Sequence, residues 1–304
     1  MIKIRHTAAF GVCAALVAAM PAHAVPFTSV QIFGDSYSDT GAGFALTNGG
    51  TAASYLAQNF GSTVALPSDS DLANKSINFA ESGARVGVEG PGSPASLTSQ
   101  VQNFANLVST GATNFDPSNT LFFLSGGLND HDILPASEVT QDYAAQVDQL
   151  VSLGARYIEI ALLPGEIPAF TDSAVTLNPA YRALVPELDA RYSGTSITLS
   201  DWGTYYDDIL RNPDAYGFTN VTDACLEFGG AGPCANPDEY FYYYSAHPSD
   251  AAHKIVGARL ADEALSIAST SVPAPASLPL FGAGIALVAA GSLSRRRRGA
   301  TPAS

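Results

Sequence analysis

Ser36 and His247 are the two residues of this 304-residue chain best placed by type and context to move an acyl group. Ser36 lies in Ile32-Phe33-Gly34-Asp35-Ser36-Tyr37-Ser38-Asp39-Thr40-Gly41, and His247 opens His247-Pro248-Ser249. A serine hydroxyl becomes a usable nucleophile when an imidazole takes its proton. Two further segments offer N–H donors for a developing oxyanion. In Asn78-Phe79-Ala80-Glu81-Ser82-Gly83-Ala84, Gly83 permits close backbone approach. In Gly127-Leu128-Asn129-Asp130, the Asn129 amide can point at the same charge. Taken alone, the stretch around Ser36 is an ordinary Gly/Asp/Ser turn. Serine, histidine and convergent donors together form the constellation of ester hydrolysis.

Competing chemistries lack their residues. Between the two ends of the chain there are three histidines, His131, His247 and His253, with no His-x-Glu or His-Glu-x-x-His spacing, so no metal is expected. Gly-x-Ser-x-Gly is absent, and no Gly-rich phosphate loop of convincing form occurs. His253 falls on an apolar helical stripe with Ile255 and Val256 and reads as structural. His131, two residues from Asn129, reads as a pocket wall. Asp35, Asp39 and Asp130 read as turn holders that accept backbone N–H groups.

The first three chemical segments stand at the ends of apolar runs that read as strands, and His247 precedes the last helix. Five such runs stand out: Ser29 to Phe33, Ile77 to Ala80, Thr120 to Leu124, Tyr157 to Leu163 and Ser196 to Leu199. Between them the apolar period predicts helices over Leu97 to Val108, Ser137 to Leu153 with Gly154 as the stop, and one opened by Asn178-Pro179. Another helix runs to about Arg211, and a last one covers Ser249 to Ala268 with Ile255, Leu260 and Leu265 facing inward. Asn212 to Tyr240 reads as turns. Strands alternating with helices predict one α/β domain, a parallel sheet covered on both faces and joined by right-handed crossovers. Open sheets of this kind bind ligands at the carboxyl ends of their strands, where Ser36 falls.

The two ends differ from this body. Lys3 and Arg5, an apolar run from Ala8 to Met20 and Ala22-His23-Ala24 predict a secretory signal peptide over residues 1–24. At the other end, Val272-Pro273-Ala274-Pro275, the uncharged Ala276 to Leu293 and Arg295 to Arg298 would suit a single transmembrane segment with its arginines on the cytoplasmic side. With its Pro motif and Gly-rich span, residues 269–304 also resemble the PEP-CTERM sorting signals of Gram-negative bacteria, in the VPLPA variant. That resemblance implies processing by an exosortase and a periplasmic, cell-surface or extracellular destination. The body, 25–268, would then hold eight basic residues against 28 acidic ones, a net charge of −20. Such a charge excludes unaided binding to nucleic acid or to anionic bilayers. Cys225 and Cys234 are expected to pair as a disulfide in an exported protein.

Four segments in this order resemble the GDSL lipase/esterase family, the SGNH hydrolases: Gly34-Asp35-Ser36-Tyr37-Ser38, Asn78-Phe79-Ala80 through Gly83-Ala84, Gly127-Leu128-Asn129-Asp130 and His247-Pro248-Ser249. Any one is weak, and four in order are specific. The surroundings of Cys225 and Cys234 are similar to the disulfide-bearing approach to the last block in extracellular bacterial members. The resemblance spans Thr28 to Ala268 and implies a flavodoxin-like three-layer α/β/α sandwich with no cofactor. It implies Ser36 as nucleophile, His247 as general base, and Ser36 N–H, Gly83 N–H and the Asn129 amide as oxyanion hole.

One position departs from the family, which spells its last block Asp-x-x-His. Tyr244 stands where that Asp would hold the imidazole. Three readings remain open: a backbone carbonyl or water orients His247, another carboxylate such as Asp250, Asp238 or Glu239 substitutes, or the site is degenerate. The function classes that follow are a serine hydrolase of acyl lipids or other carboxylic esters, a deacetylase of envelope polysaccharide, and a surface or matrix protein on the hydrolase fold.

Overall fold

The first strand, β1 (Ser29–Gly34), is buried at all six positions, including Gln31, whose amide donates to the Lys75 carbonyl at 3.0 Å. A strand covered on both faces must be apolar or internally satisfied, which is why it reads as an unbroken run rather than an alternating one. The computed structural model describes residues 27–41, 46–87, 89–90, 92–130, 133–226 and 232–271. The signal-peptide segment, the C-terminal apolar and arginine segments and His131 lie outside them.

Five strands follow in the same sheet: β2 (Val64–Ala65), β3 (Ser76–Asn78), β4 (Thr120–Ser125), β5 (Tyr157–Ala161) and β6 (Ser196–Ser200). Their order is β2-β3-β1-β4-β5-β6, parallel throughout. The sheet therefore has six strands, not the five expected. The extra one, β2, is a two-residue edge strand, too short to leave a periodic signal. Without it the order is the flavodoxin-like 2-1-3-4-5, which switches direction between β1 and β4.

The helices form two layers. Helices α1 (Ala52–Asn59), α5 (Trp202–Arg211) and α7 (Asp250–Ser271) pack together, and α2 (Leu97–Ser109), α3 (Ala136–Ser152) and α4 (Thr171–Arg191) pack together. Right-handed crossovers put these groups on opposite faces. On one side Phe33, Phe79, Phe104, Phe115 and Phe122 interlock with ring centroids 5.2 to 6.0 Å apart. On the other, α7 lies so close to α1 that a Cβ on Gly257 would meet Tyr55 Cβ at 2.4 Å. The buried stripe of α7 is Val256, Leu260 and Ala264, and Ile255 and Leu265 sit at its margins. Among the described residues no helix is long and apolar enough to cross a membrane.

Two expectations are corrected here. Asn178-Pro179 does not open α4, which starts at Thr171 and carries both Pro179 and Pro186 inside it. The Asn178 side chain instead brackets the end of the β5 loop, accepting the Leu163 N–H at 2.8 Å and donating to its carbonyl at 2.9 Å. The stretch after Asn212 is not all turns. It holds the short α6 (Pro213–Tyr216) and most of a second sheet, β7 (Asn220–Leu226), β8 (Tyr240–Tyr244) and β9 (His247–Pro248). Cys225 and Cys234 are bridged, with Cα atoms 4.8 Å apart.

Gly34 ends β1 where no side chain fits. A Cβ there would lie 2.5 Å from Ser125 Oγ and 2.9 Å from the Ser125 carbonyl oxygen. Gln100 from α2 clamps the same residue, accepting its N–H and donating to its carbonyl, each at 2.9 Å. Gly34→Ala is expected to cost about 1–3 kcal/mol of stability by overpacking, read as a lower midpoint in urea denaturation. An unchanged midpoint would show that β1 and β4 can part at little cost.

Candidate active site

Ser36 sits in the tight turn that leaves β1, at the switch point of the sheet. Its frame is local: Asp35 accepts the Tyr37 N–H on its side chain at 3.1 Å and the Ser38 and Asp39 N–H groups on its carbonyl at 3.0 Å. Ser38 Oγ then meets Ser125 Oγ at 2.7 Å, tying the turn to the end of β4. Burial pushes the Asp35 carboxyl up to about 7, against the Tyr37 N–H that lowers it. Asp130 is pushed up by burial to about 6 and accepts the Val86 N–H with both oxygens. The Asp39 side chain accepts the Gly41 N–H at 2.7 Å and the Ser82 N–H at 2.9 Å. Asp35 and Asp39 hold the turn around Ser36, whereas Asp130 ties the loop after β4 to Val86.

His247 arrives from the other end of the chain. It starts β9, and its Nε2 lies 2.9 Å from Ser36 Oγ across 211 residues of sequence. The two-residue loop Ser245-Ala246 joins β8 to β9, with Tyr244 opposite His247 in the antiparallel register. Ser245 takes a left-handed φ of 50°, as the first position of such tight hairpin loops requires. Tyr37 pins this hairpin. Its hydroxyl donates to the Ala246 carbonyl, and its ring lies 5.4 Å from the imidazole.

Nδ1 of His247 faces the backbone carbonyl of Tyr244 at 3.3 Å. That contact puts the proton on Nδ1 and leaves the Nε2 lone pair for the serine hydroxyl. Tyr244 thus meets His247 through its main chain, and its phenol is not the partner. Asp250, the other expected orienting group, is spent elsewhere: it accepts the Gly50 N–H at 2.9 Å and the Tyr55 hydroxyl, and pairs with Lys254 at 2.6 Å. It anchors α7 to α1. Burial without a facing carboxylate pushes His247 down to about 4, and the Tyr244 carbonyl only partly offsets this. His253 is buried and structural, its Nδ1 accepting the Ala52 N–H at 3.1 Å and lying 2.8 Å from the Tyr206 hydroxyl.

The expected oxyanion donors lie in the loops that follow β3 and β4, the strands on either side of β1. Gly83 has a φ of 84°, a left-handed turn that glycine adopts without strain. The segment before it docks on the nucleophile turn, through Glu81 N–H to Gly34 O at 3.2 Å and Asn78 Nδ2 to Ser38 O at 2.6 Å. Asn129 spends one amide hydrogen on the Ala84 carbonyl at 2.9 Å, which fixes its plane and leaves the second available. Among the described residues, no acceptor takes the Ser36 or Gly83 N–H. No group of three potential metal ligands occurs among them. Sequence reasoning missed Tyr37 and Gln100 as positioning residues. A large aromatic directly after the serine, inside an otherwise small-residue turn, was the available signal for Tyr37.

The GDSL-like lipase/acylhydrolase family matches residues 30–260. The chain belongs to this family. Thermolabile hemolysin of Vibrio parahaemolyticus is 28% identical to it over 184 residues, 52% of this chain and 44% of the hemolysin. A GDSL esterase/lipase of Arabidopsis thaliana is 31% identical over 139 residues, 39% of this chain and 37% of the plant protein. This GDSL-family chain thus matches less than half the length of these curated relatives. A lipolytic G-D-S-L protein of solved structure from Veillonella parvula covers 78% of this chain and 96% of its own, at 17% identity and a TM-score of 0.44.

Because the main chain of Tyr244 makes the contact, Tyr244→Phe is expected to leave the rate of Ser36 modification by a phosphonate reagent within about twofold. Tyr244→Asp restores a charge opposite Nδ1 and is expected to raise that rate roughly tenfold or more, since a carboxylate in that place stabilises the imidazolium. A large loss in Tyr244→Phe would show that the phenol itself orients the ring.

Proposed function

We propose that this chain is an exported serine hydrolase that cleaves carboxylic esters through an acyl-Ser36 intermediate. The observation that carries the reading is the 2.9 Å contact between Ser36 Oγ and His247 Nε2 at the switch point of the sheet. His247 Nε2 takes the hydroxyl proton as Oγ attacks the ester carbonyl. The Ser36 and Gly83 N–H groups and the free Asn129 amide hydrogen meet the oxyanion of the tetrahedral intermediate. Collapse breaks the bond to the alcohol, and the imidazolium returns its proton to the leaving oxygen. Water then enters by the same route in reverse roles, releasing the acid and regenerating Ser36.

Without a carboxylate at Nδ1 the imidazolium is stabilised by a carbonyl dipole alone, so turnover should be modest for the fold. Residues 1–24 direct export, and 269–304 deliver the chain to an exosortase-type enzyme. These assignments rest on the basic-apolar-small pattern of the first segment and the Pro, Gly and Arg pattern of the last. A fluorophosphonate probe is expected to form one adduct on Ser36, lost in Ser36→Ala. A folded, disulfide-bridged sample that takes no label would contradict the reading.

A further inference from the structure

Beside the His247 hairpin lies a cleft of about 570 Å³ that the mechanism above does not use. Its walls are mainly apolar and include Ile167, Ala169, Leu210, Val221, Tyr242 and Ala246. They come from the loop after β5, the end of α5, β7, β8 and the hairpin loop. Two of its wall residues, Ala246 and Ala169, are chain neighbours of residues around the reacting pair. Ala246 directly precedes His247 and accepts the Tyr37 hydroxyl, and Ala169 precedes Phe170, whose ring lies 5.4 Å from that of Tyr37. Glu166 and Arg211, both half exposed, pair at 3.4 Å on the cleft and cancel each other's charge. A volume of this order suits a small-molecule group held by apolar contact.

Position decides which part of an ester the cleft takes. The imidazole must protonate the departing oxygen, so the alcohol portion leaves on the histidine side. The oxyanion donors Gly83 and Asn129 lie in the loops that follow β3 and β4, whereas this cleft is built on the hairpin that carries His247. We propose that the cleft binds the alcohol portion of the substrate, and that the preferred substrates are esters whose leaving alcohol carries an aliphatic chain rather than a polar sugar. This rests on the ester-hydrolase reading and narrows it.

The test is kcat/KM on an alkyl acetate series from methyl to hexyl, below micelle-forming concentrations, with methyl hexanoate as the arm that lengthens the acyl side instead. Burying each methylene raises kcat/KM by up to about fourfold, so hexyl acetate is expected to exceed methyl acetate at least tenfold. Val221→Trp, which fills the cleft, should lower the hexyl-to-methyl ratio about tenfold. Ala169→Trp, at an exposed position nearer Tyr37, should lower the ratio already at butyl and covers the case in which the Val221 variant does not fold. Hydrolysis with no dependence on alcohol length, or with length dependence only in the methyl hexanoate arm, overturns the assignment while leaving the ester-hydrolase reading standing. Absence of turnover on every ester, together with absence of Ser36 labelling, overturns both.

Discussion

The hydrogen bond from Ser36 to His247 joins the turn after the first strand to a hairpin more than two hundred residues later, and the surrounding structure serves to hold its two ends together. The serine end is rigid because its turn is crossed by short bonds from Asp35, Ser38 and the end of β4. The histidine end depends on less. A two-residue loop with one left-handed residue sets its direction, and the Tyr37 hydroxyl beneath fixes its height. Tyr37 is the neighbour of the nucleophile, so one residue couples both ends of the pair. Serine and imidazole are thereby held to one another as well as to their own elements.

The same contact explains the electrostatics. A carbonyl at 3.3 Å selects the useful tautomer of His247 but brings no net charge. Burial then dominates, and the ring stays neutral well below the usual range for histidine. A neutral imidazole is ready to accept a proton but is a weak base, and the cation it forms is poorly supported. Orientation and charge stabilisation, which a carboxylate supplies together, are separated in this chain, and only the first is kept. Nearby carboxyl groups do not make up the difference. Asp250 is bound to Tyr55, Gly50 and Lys254, Asp35 accepts an N–H in its own turn, and Asp130 accepts the Val86 N–H from the loop after β3.

Much of this was legible in the sequence, for physical reasons. Strands β1, β4 and β5 are almost wholly buried and stand out as apolar runs, β6 at the sheet edge is only partly buried, and helices α2 and α3 repeat their apolar residues cleanly. The disulfide followed from two cysteines close together in the chain. What escaped were features set by tertiary contacts. The edge strand β2 has two residues, and in the second sheet β7 pairs with β8 only across a long Gly-, Asn- and Pro-containing connection. Asn178 looked like a cap because its type and the following proline fit one, yet its amide is claimed by the Leu163 backbone. The replacement of a carboxylate by a main-chain carbonyl could be named as an alternative but not chosen, since main-chain partners leave no mark on side-chain identity.

The pH dependence of kcat/KM on a small ester tests most directly whether a carbonyl alone orients His247. Because burial lowers the basicity of the ring, the base form persists as acid is added, and the acid limb should fall near pH 4, with the fold confirmed by circular dichroism at each point. A limb near the ordinary histidine value of about 6.5, or above it, would mean that a negative charge reaches Nδ1 after all, and would contradict this account.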